Sequence, residues 1–237
     1  MPAPVLMLHS GGFTSRQWRK LGEAFAPTHR VVAPDLTGYG SRPRWPAGTP
    51  FHFQTDVDLV AELATEPMHV VGHSYGGLIA LQLALVHPDR VRSLSLYEPV
   101  AFGILDEPVP AFAPFELDQP DVWLAAFVEW WNGAGAWQKL PAETQAAFRD
   151  VGWKLSEEVR SLMADRTGKR YAAIDQPTLL LGGGKTPAPE RRVLEALAVT
   201  LPHATLRIFP ELGHMGPITA AGAVNAAIVE HVIACDR

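Results

Sequence analysis

Met68-His69-Val70-Val71-Gly72-His73-Ser74-Tyr75-Gly76-Gly77-Leu78-Ile79-Ala80 decides how this chain folds. Residues 68–72 form a short apolar run, which reads as a strand. Residues 76–86 form a longer apolar run closed by His87-Pro88, which reads as a buried helix. Between them lies the pentapeptide G-x-S-x-G. A chain passing from strand to helix in so few residues turns sharply and holds Ser74 in a strained conformation with its hydroxyl exposed. Gly72 and Gly76 remove the side chains that would collide in such a turn. A chance Gly-Ser turn is the bland alternative, and the flanking strand and helix argue against it.

The same alternation extends outward on both sides. Strands are expected at 5–8, 30–34, 91–97, 178–181 and 205–209, and helices at 15–25, 56–64, 190–201 and 220–233. Strands alternating with helices predict an α/β fold with a doubly wound, mostly parallel sheet. Such a sheet is covered on both faces, which explains its near-continuously apolar strands. Residues 99–174 break the pattern. They carry Pro99, Pro108, Pro110, Pro114 and Pro120, and then Trp123, Trp130, Trp131, Trp137 and Trp153, in segments that read as short helices. The expected organisation is a core of residues 1–98 and 175–237 with a helical cap inserted at 99–174.

Composition excludes several classes. The 237 residues are 47% hydrophobic and 19% charged, with a formal net charge of −5. That is too apolar for a disordered chain and lacks the basic excess of a nucleic-acid scaffold. The single cysteine, Cys235, rules out an internal disulfide framework and is compatible with a reducing compartment. No apolar run reaches the roughly 20 residues of a membrane span. The first residues lack the basic flank of a signal peptide, so a cytoplasmic protein without membrane or nucleic-acid partners is expected.

Two further segments join Ser74 at the sheet's C-terminal edge. His9-Ser10-Gly11-Gly12 follows the first strand. A developing oxyanion needs two backbone donors, one from the residue after the nucleophile and one from an early strand-to-helix loop. These predict the N–H of Tyr75 and that of Gly11 or Gly12. Gly213-His214-Met215 follows the last strand, where a general base can reach Ser74. His29, His69, His87, His203 and His231 sit at helix ends or strand starts, and His73 points away from Ser74 in such a turn.

These segments resemble the α/β-hydrolase family, together with Ala33-Pro34-Asp35-Leu36-Thr37-Gly38-Tyr39-Gly40 and His87-Pro88-Asp89-Arg90-Val91. The resemblance implies a helical cap over a doubly wound sheet, Ser74 as nucleophile and His214 as base, with no cofactor. It also implies a first strand hairpin that this stretch does not contain. The family's first histidine is often followed by glycine, where this chain has Ser10.

The acid is the main departure. The family usually carries an aspartate after the penultimate strand, where this chain reads Gly182-Gly183-Gly184-Lys185-Thr186-Pro187, with Thr186 about in the aspartate's place. Some members place the acid after the strand that follows the nucleophile helix. Here that strand ends Leu96-Tyr97-Glu98-Pro99, which makes Glu98 the first choice and Glu190 the alternative. The order Ser74, Glu98, His214 keeps nucleophile, acid and base in the sequence this fold uses.

Other motifs lead elsewhere and fail. Gly182 to Thr186 resembles the end of a phosphate loop, but the pattern's first glycine would fall on Leu179, and Pro187 and Pro189 disrupt the following helix. The run from Gly38 to Pro43 starts like a dinucleotide fingerprint and ends in proline. No His or Cys spacing supports a metal site. The expectation is a serine hydrolase that cleaves a small, largely apolar ester, lactone or related carbonyl substrate through an acyl-enzyme. Phe102, Phe112, Phe115, Trp130 and Trp131 are the pocket candidates. A ligand-binding protein on the same fold, with little turnover, is the alternative.

Overall fold

The computed structural model describes residues 2–107 and 109–237. Pro108, one of the cap-opening prolines, lies outside the described residues. The elements in chain order are β1 (Val5–Leu8), α1 (Arg19–Phe25), β2 (Val31–Val32), α2 (Gln54–Leu63), β3 (Met68–His73), α3 (Tyr75–Val86) and β4 (Val91–Tyr97). Then follow α4 (Pro120–Asn132), α5 (Ala136–Lys139), α6 (Ala142–Met163), β5 (Thr178–Gly183), α7 (Ala188–Thr200), β6 (Ala204–Phe209), α8 (Gly216–Thr219) and α9 (Ala221–Asp236).

The strands form one six-stranded sheet in the order β2-β1-β3-β4-β5-β6. Every neighbouring pair is parallel. The chain first winds outward from β1 to β2, then returns to the other side of β1 and winds the opposite way. The order therefore reverses between β1 and β3, and a crevice opens there beyond the strands' C-terminal ends.

Alternate side chains explain the two layers. Leu6, Leu8, Val70, Leu94, Leu96 and Leu180 face one core with α2, α3 and α7. Val5, Met7, Val71, Leu179 and Leu181 face a second core with α1 and α9. Helix α3 is buried on all sides from Tyr75 to Ala84, as its mostly apolar sequence requires, and the buried Gln82 amide donates to the Tyr171 hydroxyl at 3.0 Å.

Three expectations differ in detail. The strand expected at 30–34 pairs only at Val31 and Val32. It is an edge strand, and Pro34 has no N–H to extend the ladder. The helix expected at 15–25 begins as a 3₁₀ turn, Ser15–Trp18, before α1. In residues 99–174, instead of only short helices, α6 runs for 22 residues. Its buried side carries Val151, Leu155 and Leu162 at helical spacing, but also Lys154, Glu157 and Glu158. Those buried charges mask the apolar stripe that would have announced a long helix.

Candidate active site

The strand-to-helix turn after β3 is as tight as its sequence demands. Ser74 has φ 55° and ψ −117°, outside the regions ordinary side chains occupy. A Cβ at Gly72 would lie 2.5 Å from the Gly76 carbonyl oxygen, and one at Gly76 would lie 2.3 Å from the Leu8 carbonyl oxygen. No other residue type fits at either position without moving backbone. The Ser74 N–H donates to the Tyr97 carbonyl at 2.9 Å, and its own carbonyl accepts from Gly77 and Leu78. Strand ladder and first helical turn hold the strained residue from both sides.

Three loops bring the remaining groups to Ser74. His214, after β6, lies with Nε2 2.9 Å from Ser74 Oγ. Its Nδ1 lies 2.7 Å from Glu98 Oε2. A carboxylate only accepts, so Nδ1 carries the proton and Nε2 is free to receive one from the serine. Ser74, Glu98 and His214 are all buried. Glu98, directly after β4, has φ 45°, the only other positive-φ residue that is not glycine among the described residues. Its second oxygen, Oε1, accepts from the Gly183 N–H at 2.6 Å and from Thr186 Oγ at 2.5 Å. Thr186 therefore stands in the loop where an aspartate was sought and supplies a donor to a carboxylate that comes from the adjacent strand.

Glu190, the alternative acid, has a different setting. It is buried in the first turn of α7, and neither carboxyl oxygen has a hydrogen-bond partner among the described residues. Burial, reinforced by the nearby Glu98 charge, pushes its pKa well above the usual carboxylate range. The Nδ1 of His214 is already taken by Glu98.

Residues that the sequence left aside set the geometry of the site. His9 Nε2 accepts from the Leu36 N–H at 2.9 Å, so its Nδ1–H donates to the Ser10 carbonyl at 2.8 Å. Burial lowers its pKa to about 4, and the ring stays neutral. Gln17 accepts from the Ser10 N–H through Oε1 at 3.1 Å and donates through Nε2 to His73 Nδ1 at 3.1 Å. His73 Nε2–H then donates to the His214 carbonyl at 2.8 Å. His73 is thus a neutral strut between the glycine loop and the His214 loop; burial, then the neighbouring His214, depress its pKa. The Trp131 ring stacks on the His214 ring, with centroids 3.7 Å apart and planes 17° apart.

Two cavities meet at Ser74. An inner one is lined by Gly11, Ser74 and Tyr75 on the core side and by Phe102, Phe112, Trp130 and Trp131 among the cap-side residues. An outer one is lined by Gly11, Gly12, Phe13, Trp131, His214 and Ile218 among others. Gly11 borders both, whereas Gly12 borders only the outer one and turns through φ 77°. Phe115 departs from its expected place on the pocket wall. It packs inside the cap, with ring centroids 5.7 Å from Trp123 and 6.2 Å from Trp153. Phe112 also meets Trp123, at 5.5 Å, but lines the inner cavity as well. Among the described residues no cluster of three or more His, Cys, Asp or Glu is placed to hold a metal ion. No described helix is long and apolar enough to cross a membrane.

Comparisons with known proteins agree with this architecture. The chain is 27% identical over 96% of its length to the dihydrolipoyllysine-residue acetyltransferase component of the acetoin cleaving system of Cupriavidus necator. It is 34% identical over 65% of its length to lipase LipV of Mycobacterium tuberculosis. The matches span 63% of each of those relatives. Among solved structures, a meta-cleavage product hydrolase from Pseudomonas fluorescens superposes with a TM-score of 0.73 over 98% of this chain and 91% of that one, at 20% identity, and shares the fold. The profile of the alpha/beta hydrolase family matches residues 5–227, and the chain belongs to that family.

Proposed function

We propose that this chain is a serine hydrolase that cleaves a small, largely apolar ester or related carbonyl compound through an acyl-enzyme. The observation that carries this reading is the continuous relay from Ser74 Oγ to His214 Nε2, 2.9 Å, and from His214 Nδ1 to Glu98 Oε2, 2.7 Å. Both distances are within proton-transfer reach. Ser74 Oγ attacks the carbonyl carbon while His214 takes the hydroxyl proton. Glu98 keeps the imidazole in the right tautomer and stabilises it once charged. The oxyanion forms between the N–H groups of Tyr75 and Gly11, neither of which has an acceptor among the described residues. Collapse of the tetrahedral intermediate breaks the bond to the leaving oxygen, which takes the proton from His214. Water then adds to the acyl carbon with His214 as base, and Ser74 leaves protonated.

The placement of His214 also orients the substrate. The group that leaves must lie within reach of Nε2, and His214 borders only the outer cavity. The acyl group then occupies the inner one, between Phe102, Phe112 and Trp130. An apolar lining of this kind favours a compact hydrophobic acyl group. The lipase among the relatives is consistent with ester cleavage.

Intact-mass analysis after a fluorophosphonate probe tests the reading on wild type, Ser74→Ala and Glu98→Gln. One adduct is expected on wild type, none on Ser74→Ala, and slower labelling of Glu98→Gln. Wild type that neither labels nor turns over a chromogenic ester, yet binds such esters, would replace the hydrolase with a binding protein.

A further inference from the structure

We infer that Glu158 is a specificity-determining residue, and that the acyl group this site takes carries a hydroxyl a few bonds from its carbonyl. The inference rests on the hydrolase reading above and names its substrate more closely. Glu158 belongs to cap helix α6 and contributes the one carboxyl among the described residues that line the otherwise apolar inner cavity. Its oxygens are unequally used. Oε1 accepts from Lys154 Nζ. Oε2 accepts one bond, from the Tyr39 hydroxyl at 2.8 Å. A carboxylate oxygen accepts two, so Oε2 has room for one more donor. That oxygen is directed at the reacting centre's edge, since a Cβ built on Gly11 would lie 2.8 Å from it.

The surrounding charges favour a neutral donor. Lys154 is held between two buried carboxylates, with Nζ 3.2 Å from Asp56 Oδ2 on one side and Glu158 on the other. Its ammonium also lies 4.3 Å from the Tyr39 ring centroid and 5.0 Å from that of Tyr75. A cationic substrate would have to sit beside this ammonium, whereas a hydroxyl would not. Docking of α6 onto the core is already achieved by the Lys154–Asp56 and Tyr39–Glu158 contacts. A purely hydrocarbon acyl group would leave the remaining lone pair of Oε2 against apolar surface, which is unfavourable.

The test compares p-nitrophenyl esters that differ by hydroxyl against methyl: 3-hydroxybutanoate with 3-methylbutanoate, and 2-hydroxybutanoate with 2-methylbutanoate. At about pH 8.5, above the value of about 7 to which burial raises the Glu158 pKa, kcat/KM is measured for wild type, Glu158→Gln and Glu158→Leu, each ratio being corrected by the pair's rates in alkali. Wild type should prefer the hydroxy ester in at least one pair by about tenfold, as expected for a hydrogen bond to a charged group. Glu158→Gln should retain part of that preference and Glu158→Leu should reverse it. A ratio that Glu158→Leu leaves unchanged in both pairs overturns the proposal, because a merely structural role lowers both members alike. A second arm needs neither turnover nor a change at 158. Binding of the corresponding methyl esters to Ser74→Ala is read by the change in tryptophan fluorescence, since Trp130 and Trp131 line the inner cavity. Tighter binding of a hydroxy ester supports the proposal, and equal binding overturns it. Failure of Ser74 to label with fluorophosphonate would sink the hydrolase reading separately.

Discussion

Glu98 divides its two oxygens between two tasks. Oε2 faces His214, while Oε1 is fixed by the Gly183 N–H and the Thr186 hydroxyl. Removing the threonine donor should loosen the carboxylate without emptying its place. Thr186→Val is expected to lower kcat about tenfold with KM nearly unchanged, since one hydrogen bond to a charged group contributes roughly 1.5–3 kcal/mol. Glu98→Gln should cost far more, about 10³–10⁴-fold in kcat, because the amide can donate to Nδ1 and so favour the wrong tautomer. Steady-state turnover of a chromogenic ester measures both. Near wild-type turnover in both variants would mean that Glu98 acts only by filling space. Thr186 shows what the sequence could tell about this site. The absence of the usual aspartate was legible, and so was the carboxylate at Glu98. The hydrogen bond that couples the two loops was not, because nothing in a threonine at that position specifies which neighbour it meets.

Helix α6 is held to the core by charge as much as by apolar packing. Lys154 and Glu158 are one helical turn apart and meet Asp56, on α2, and Tyr39, in the loop after β2. The Tyr75 hydroxyl, next to the candidate nucleophile, donates to the same Asp56 at 2.7 Å. The cap helix, the nucleophile turn and α2 thus share one buried network. Buried charges are tolerated when each has a partner, and removal of one partner typically costs about 3–5 kcal/mol. Lys154→Met would leave Asp56 and Glu158 without their shared cation. It should lower Tm by roughly 6–20 °C at the usual 2–4 °C per kcal/mol for a chain of this size. Differential scanning fluorimetry measures the shift, and a Tm within about 2 °C of wild type would mean that the cation contributes less than the usual buried partner. The strands of the sheet were legible because their apolar runs are short and bounded by turn residues. Helix α6 was not, because its inward face carries the side chains that ordinarily mark an outward one.

Across the whole molecule, these buried groups give stability two opposed responses to pH. His9 is neutral in the fold, where burial lowers its pKa from 6.5 to about 4. As pH falls from 6.5 towards 4, the unfolded chain takes up a proton that the folded one refuses, so stability declines. Glu158 acts in the other direction. Burial, with a further push from Asp56 and an opposing pull from Lys154, raises its pKa from 4.5 to about 7. Between those values the folded state keeps a proton that the unfolded chain has released, so stability declines as pH rises. The two slopes oppose each other from about pH 4.5 to 6.5. Glu158→Gln cannot titrate and removes only the second slope. The difference in unfolding free energy between Glu158→Gln and wild type should therefore shift in the variant's favour as pH rises from 4.5 to 7, by at most about 1.4 kcal/mol per pH unit. Taking the difference cancels the groups that do not interact with Glu158, His9 among them. Urea unfolding at half-unit steps measures it. A difference constant across that range would mean that Glu158 is ionised throughout, held by Lys154 and Tyr39 strongly enough to offset its burial.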